Sequence, residues 1–175
     1  MRHVALLRAI NVGGHVVPMA RLKQLFEELG FAGVETFIAS GNVIFDAKPG
    51  GAPALEKRIA AYLGKALGYE VATFLRSPAE MKAIAAHRPF AKVAPGSTLY
   101  IGFLGAAPGA SAKREAAALA TDMDEIQLHG RELYWRCRYT ISKSTVSGAR
   151  LEKALGQPAT LRKSTTVEKL AAKVS

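Results

Sequence analysis

Sulfur, acidic side chains and long apolar runs are all scarce in this chain. Its 175 residues include one cysteine, Cys137, so no internal disulfide can form and a reduced, cytoplasmic setting is expected. No apolar run approaches the roughly 18 residues needed to cross a bilayer. The apolar part of the N-terminal stretch is too short for a signal peptide, and no small-residue cleavage site follows it. A soluble protein with no membrane partner is therefore expected. Acids are outnumbered, with 14 Asp and Glu against 24 Lys and Arg, giving a net charge of +10.

Catalytic and cofactor motifs are scarce as well. Gly13-Gly14 is not followed by Gly-Lys-Ser/Thr as a P-loop requires, and there is no G-x-G-x-x-G or G-x-S-x-G. His3, His15, His87 and His129 are scattered, with no metal-ligand spacing among them or to Cys137. Cys137 follows Trp135 in an aromatic-rich strand and reads as a packed thiol. No catalytic residue, metal or cofactor is assigned.

What is present is apolar periodicity. Hydrophobic residues make up 49% of the chain, enough for a true core. His3 to Ile10 reads as a strand. In the following segment Leu22, Leu25, Phe26 and Leu29 recur at i, i+3, i+4 and i+7, the spacing of one helical face, with Pro18 at its start and Gly30 at its end. Two short strands meet at Ser40-Gly41-Asn42, a hairpin signal. Leu55, Ile59, Tyr62 and Leu63 mark a second helix closed by Gly68, a strand ends at Arg76, and Ser77, Pro78 and Glu80 open a third helix with a capping box. The order β-α-β-β-α-β is the ferredoxin-like pattern.

The second half repeats that order after a linker. Ala66-Leu67-Gly68 and Ala154-Leu155-Gly156 each close a helix. Ala-Thr and Leu-Arg follow both, and a capping box comes next, Thr165 with Glu168 in the second copy. The expectation is an α+β protein of two tandem ferredoxin-like plaits made by internal duplication, over residues 1–88 and 98–175 with a linker at 89–97. Strands such as Val4–Leu7 and Asn42–Phe45 are apolar on both faces. A lone plait leaves one face open, so something must cover it: the other plait, a continuous sheet or a second copy.

Candidate binding residues follow from charge and glycine. Arg131 to Ser175 holds ten Lys and Arg against three Glu, a surplus that attracts anionic partners. Gly13 and Gly14, between a strand and a helix, permit close approach of an anion to backbone amides, with Arg8 or His15 beside it; a strand-to-helix turn that only needs glycine is the simpler reading. Arg76 and Arg162 each precede a helix N-terminus and could seat an anion there, or be solvated strand ends. Trp135, with Tyr134 and Tyr139 interleaved with Arg136 and Arg138, is the best base-stacking stretch, since the first strand has no aromatic and the third only Phe45. If the first and third strands run parallel, Asp46 lies beside the Asn11–His15 loop and Ser40-Gly41-Asn42 lies at the opposite end.

Three stretches, residues 6–31, 36–45 and 74–90, resemble a bacterial family, the domain-of-unknown-function 1697 family. Its members open with a pattern like LLRGINVGG…PM, continue with TYIQSGNVVF and then RS..EL. The resemblance implies an alpha-beta plait and assigns no activity. The matching positions are Arg8, Asn11, Gly13, Gly14, Pro18, Met19, Ser40, Gly41 and Asn42. Near the C-terminus the family pattern T.RNWNTV.KL departs. Thr160, Arg162, Thr166, Val167, Lys169 and Leu170 match, whereas Lys163, Ser164 and Thr165 replace Asn-Trp-Asn; Lys163, Thr165 and Lys169 join the candidate binding residues. Three functions stand open: non-catalytic binding of an anionic partner, nucleic acid or nucleotide; an enzyme on a small phosphorylated or carboxylated substrate at the Arg8–His15 loop with Asp46; and an oligomeric adaptor.

Overall fold

The computed structural model describes residues 1–38, 41–90, 95–139 and 141–175. It divides into two compact units, Met1–Lys82 with Leu170–Ser175, and Ala83–Lys169. Each carries one four-stranded antiparallel sheet with helices, so the chain is α+β in two similar halves. Among the described residues, no helix is long and apolar enough to cross a membrane.

The first unit runs β1 (Arg2–Leu7), α1 (Met19–Glu28), β2 (Ala32–Thr36), β3 (Asn42–Asp46), α2 (Ala52–Leu67), β4 (Thr73–Arg76) and the start of α3 (Pro78–Ala86). The sheet order is β2-β3-β1-β4, the ferredoxin-like arrangement. Alternation sends Ala5, Leu7, Val43, Phe45 and Leu75 to one face, where they meet Leu22, Leu25 and Phe26 of α1 and Ile59 and Leu63 of α2. Each fully buried Val, Leu, Ile or Phe among them contributes about 1.5–3 kcal/mol. Val4, Leu6, Ile44, Phe74 and Arg76 lie on the other face and are equally buried. α3 opens with the expected capping box. The Glu80 amide donates to Ser77 Oγ (3.2 Å) and the Ser77 amide to a Glu80 carboxylate oxygen (2.7 Å).

The second unit runs β5 (Thr98–Leu104), α4 (Ala110–Ala117), β6 (Asp124–His129), β7 (Glu132–Cys137), a 3-10 turn (Ile141–Lys143), α5 (Gly148–Leu155), β8 (Ala159–Lys163) and the start of α6 (Ser164–Val174). Its sheet order, β6-β7-β5-β8, repeats the first. Leu104, Ile126, Leu133 and Trp135 pack against Ala116 of α4 and Leu151 and Leu155 of α5. Asp124 is 1% exposed and gathers this core's polar atoms. It accepts hydrogen bonds from Trp135 Nε1 (2.8 Å), Ser144 Oγ (2.8 Å) and Thr121 Oγ1 (2.7 Å).

Two further features recur in both units. Leu55-Glu56-Lys57 and Leu151-Glu152-Lys153 occupy matching helices. In each, the glutamate accepts from a backbone amide of the outer strand: Leu75 to Glu56 (2.8 Å) and Ala159 to Glu152 (3.0 Å). Arg76 pairs with Val4 and Arg162 with Ile101, so the two arginines hold the same register position in their sheets. The described strands form two four-stranded sheets rather than the continuous one.

Candidate functional site

The Gly13-Gly14 loop closes a corner of the first sheet. The Leu7 amide donates to Gly41 O and the Arg8 amide to Ala72 O, each at 2.9 Å. Four residues of the loop have positive φ: Ala9 (64°), Asn11 (59°), Gly13 (63°) and Gly14 (85°). Asn and Gly tolerate that region; Ala is strained there. Asn11 stabilises the turn by accepting the Val17 amide on Oδ1 (2.7 Å). The His15 ring stacks on Tyr69 at 3.8 Å. Gly41 has φ 76°, and a Cβ there would lie 3.1 Å from Ile10 Cβ and 3.2 Å from Leu7 Cβ. Asn42 is fully buried, and its side-chain amide donates to Phe37 O (2.9 Å). Ser40 lies outside the described residues.

This geometry overturns the expected placement of the loops. β1 and β3 are antiparallel, with Leu6 opposite Asn42 and Arg2 opposite Asp46. The order β2-β3-β1-β4 makes every neighbouring pair antiparallel, so β3 begins where β1 ends. Gly41 and Asn42 therefore adjoin the Gly13-Gly14 loop. Asp46 is at the far end, paired with Arg2 at 3.1 Å, so an enzyme site joining the Arg8–His15 loop to Asp46 does not exist. Added Cβ atoms at Gly13 and Gly14 would meet nothing within 4 Å. These two glycines are required by backbone conformation rather than by a close neighbour.

The two arginine seats are also corrected. Arg76 is 1% and Arg162 7% exposed, so neither is a solvent-facing anion seat. Strand alternation turns Leu75 and Leu161 toward the helices and the arginines onto the opposite, buried face. Arg76 donates from Nη1 to Leu75 O (2.8 Å), and Arg162 to Thr160 Oγ1 (2.8 Å) and Leu161 O (3.0 Å). Burial lowers the Arg162 pKa to about 10, which still leaves it charged at neutral pH.

The expected base-stacking strand is closed as well. β7 lies between β6 and β5, and Tyr134 and Trp135 are both fully buried, one on each face. The Tyr134 hydroxyl donates to Ile84 O (3.4 Å), and burial raises its pKa. Arg136 is buried against Glu125, with its guanidinium 5.0 Å from the Phe90 ring centroid. Only Arg138 and Tyr139 of this stretch are exposed. Cys137 is buried, which raises its thiol pKa. Among the described residues, no three His, Cys, Asp or Glu gather in a way that could hold a metal.

Lys163 and Thr165 do reach a concavity. A cavity of about 400 Å³ lies in the second unit where β8 passes into α6, lined by Lys163, Ser164, Thr165, Arg88, Ser97 and Glu168, among others. Helix α6 starts at Ser164, so Thr165 sits in its first turn rather than at an N-cap. Glu168, the expected capping partner, instead lies 3.7 Å from Arg88. Lys169 is exposed on α6 but does not line the cavity. Neither Arg88, at the end of the expected first plait, nor Ser97, in the expected linker at 89–97, carries a local signal of a site. Their convergence on Lys163 depends on β5 and β8 pairing, Tyr100 opposite Lys163.

Comparison with solved structures finds a conserved bacterial protein from Streptococcus pneumoniae at 22% identity, with a TM-score of 0.71 over 99% of this chain and 98% of that one. At that identity the likeness shows the fold alone. No curated protein matches the chain. The model of the family described as protein of unknown function (DUF1697) matches residues 1–134, and the chain belongs to that family.

Proposed function

We propose that this protein is a non-catalytic binder of an anionic partner, and that its contact surface is the cavity at the β8–α6 junction. The observation that carries the reading is the convergence of Lys163, Arg88 and the hydroxyl-bearing Ser97, Ser164 and Thr165 around about 400 Å³, with Glu168 the one acid among the described residues that line it. Cations and hydroxyls at a helix start suit phosphate oxygens. The volume suits a nucleotide-sized ligand, within the roughly 300–1,000 Å³ typical of small-molecule sites. Burial of Tyr134 and Trp135 favours a nucleotide over a nucleic-acid strand, because stacking successive bases needs exposed rings. Burial of residues on both faces of the sheets counts against an oligomeric adaptor. A reduced, cytoplasmic setting fits the buried free thiol of Cys137.

The test is calorimetric titration of the full chain with ATP as the probe nucleotide, at about 50 mM and about 500 mM salt. The expected result is saturable binding that weakens with salt. Lys163→Ala and Arg88→Ala should each raise Kd about three- to ten-fold, since each removes a charge-assisted contact. No binding at low salt, binding indifferent to salt, or an unchanged Kd in the double variant would refute the proposal. An oligonucleotide binding more than about tenfold tighter than ATP would move the reading to nucleic acid.

A further inference from the structure

The first unit has a cavity of its own, built differently and independent of the site at Lys163. It encloses about 490 Å³ between the end of α1, the start of β2 and the β3–α2 loop. Leu29, Phe31 and Leu55 give it apolar walls, Gly50 and Gly51 bring bare backbone to its edge, and Lys48 and Arg58 are its two cations. Among the described residues that line it there is no carboxylate.

The floor is rigid. Phe31 is 8% exposed, and its ring lies 4.5 Å from that of Phe45 and 6.0 Å from that of Phe26, so it belongs to the core. Arg58 is held over this floor from two directions. Its Nη2 donates to Leu29 O at 2.7 Å, and its guanidinium carbon sits 5.5 Å from the Phe31 ring centroid. A guanidinium carries five N–H donors in a planar fork. Capping Leu29 uses one of them, and the ring face uses the flat side of the group rather than its edge. The result is a positioned cation with donors to spare, beside a second cation and an apolar wall.

We propose that this cavity binds a small amphipathic anion, an aryl carboxylate or aryl phosphate. The anionic group bonds Arg58 and Lys48, and the ring rests on Leu29, Phe31 and Leu55. Neither half of such a ligand suffices. A bare phosphate leaves the apolar wall wet, and a neutral aromatic leaves the two cations without a counter-charge.

The test is a titration of the full chain followed by amide ¹H–¹⁵N spectra, with phenyl phosphate, benzoate, benzyl alcohol and inorganic phosphate as probes. Saturable shifts at Gly30, Gly50 and Gly51 are expected with phenyl phosphate or benzoate. Benzyl alcohol and inorganic phosphate should need at least about tenfold higher concentration. The tighter of the two aryl anions identifies the head group. Arg58→Met, which keeps the aliphatic stem, should raise Kd at least about tenfold. Lys48→Met, a change confined to an exposed loop, should raise it about threefold with an unchanged melting temperature. Lys163→Ala should leave these shifts as they are, which separates this site from the one at α6. Absence of saturable shifts, equal binding of benzyl alcohol, or an unchanged Kd in the Arg58 and Lys48 variants would overturn the proposal.

Discussion

Replacing Asp124 with alanine tests whether one buried carboxylate organises the second unit. Asp124 is 1% exposed and accepts from an indole and two hydroxyls on three separate segments. In Asp124→Ala the Trp135 indole N–H stays buried and loses its acceptor, at a cost of about 1–3 kcal/mol. The Ser144 and Thr121 hydroxyls are only partly buried and recover water, so each loses about 0.5–1 kcal/mol. Relief from burying the charge offsets part of this, which leaves a net loss of about 3 kcal/mol. Asp124→Asn keeps one acceptor oxygen and should lose about half as much. Trp135 is the only tryptophan in the chain, so its fluorescence reports this core directly during urea unfolding. The same measurement has a pH arm. Burial raises the Asp124 pKa, but hydrogen bonds from Trp135, Thr121 and Ser144 outweigh it, and the net value lies below the ordinary one. A depressed folded-state pKa means that the stabilisation is present above the unfolded value of about 3.9 and is lost as pH falls through the folded one. The acid limb should therefore be shallower in Asp124→Asn. A loss below about 1 kcal/mol in Asp124→Ala, or equal losses in both variants, would refute the reasoning.

Other substitutions separate conformational from packing roles. Gly41→Ala combines positive φ with a 3.1 Å approach to Ile10 Cβ and should cost about 2–4 kcal/mol, whereas Gly14→Ala, in open space, should cost only about 1–2 kcal/mol by chemical denaturation. Burial lowers the pKa of His87, and its neighbour His129, stacked at 4.1 Å, lowers it further. Its stabilisation is thus complete above the unfolded value of about 6.5 and falls as pH drops through the folded one. His87→Gln should flatten the melting-temperature profile below about pH 6.5. Glu152→Gln keeps an acceptor for the Ala159 amide and should lose less than about 1 kcal/mol, while Glu152→Ala should lose about 1–2 kcal/mol in the same assay.

Most of the fold could be read from local patterns, and most of the site could not. The face made by Leu22, Leu25 and Phe26, the Ser77–Glu80 capping box and the glycines closing α2 and α5 are local signals, and the structure realises them. Strand direction is not local. Whether β3 runs with or against β1 depends on which strand it settles beside, so Asp46 was placed at the wrong end. Burial of charged residues is equally non-local. Arg76 at the end of a four-residue strand looks solvated until the covered face is known. Tyr134 and Trp135 misled for the same reason: aromatics alternating with arginines describe an open strand as well as a central one. The cavity at the β8–α6 junction was half visible in Lys163 and Thr165, but Arg88 lies 75 positions from Lys163 in the chain.

The paired glutamates at the sheet margins bear on how this protein can meet another chain. A visiting strand that tried to extend either sheet along β4 or β8 would need amides that Glu56 and Glu152 already occupy. It would have to displace a carboxylate in order to pair at Leu75 or at Ala159. Recognition by strand addition is thereby disfavoured at both outer strands, as is the edge-to-edge polymerisation to which open sheets are prone.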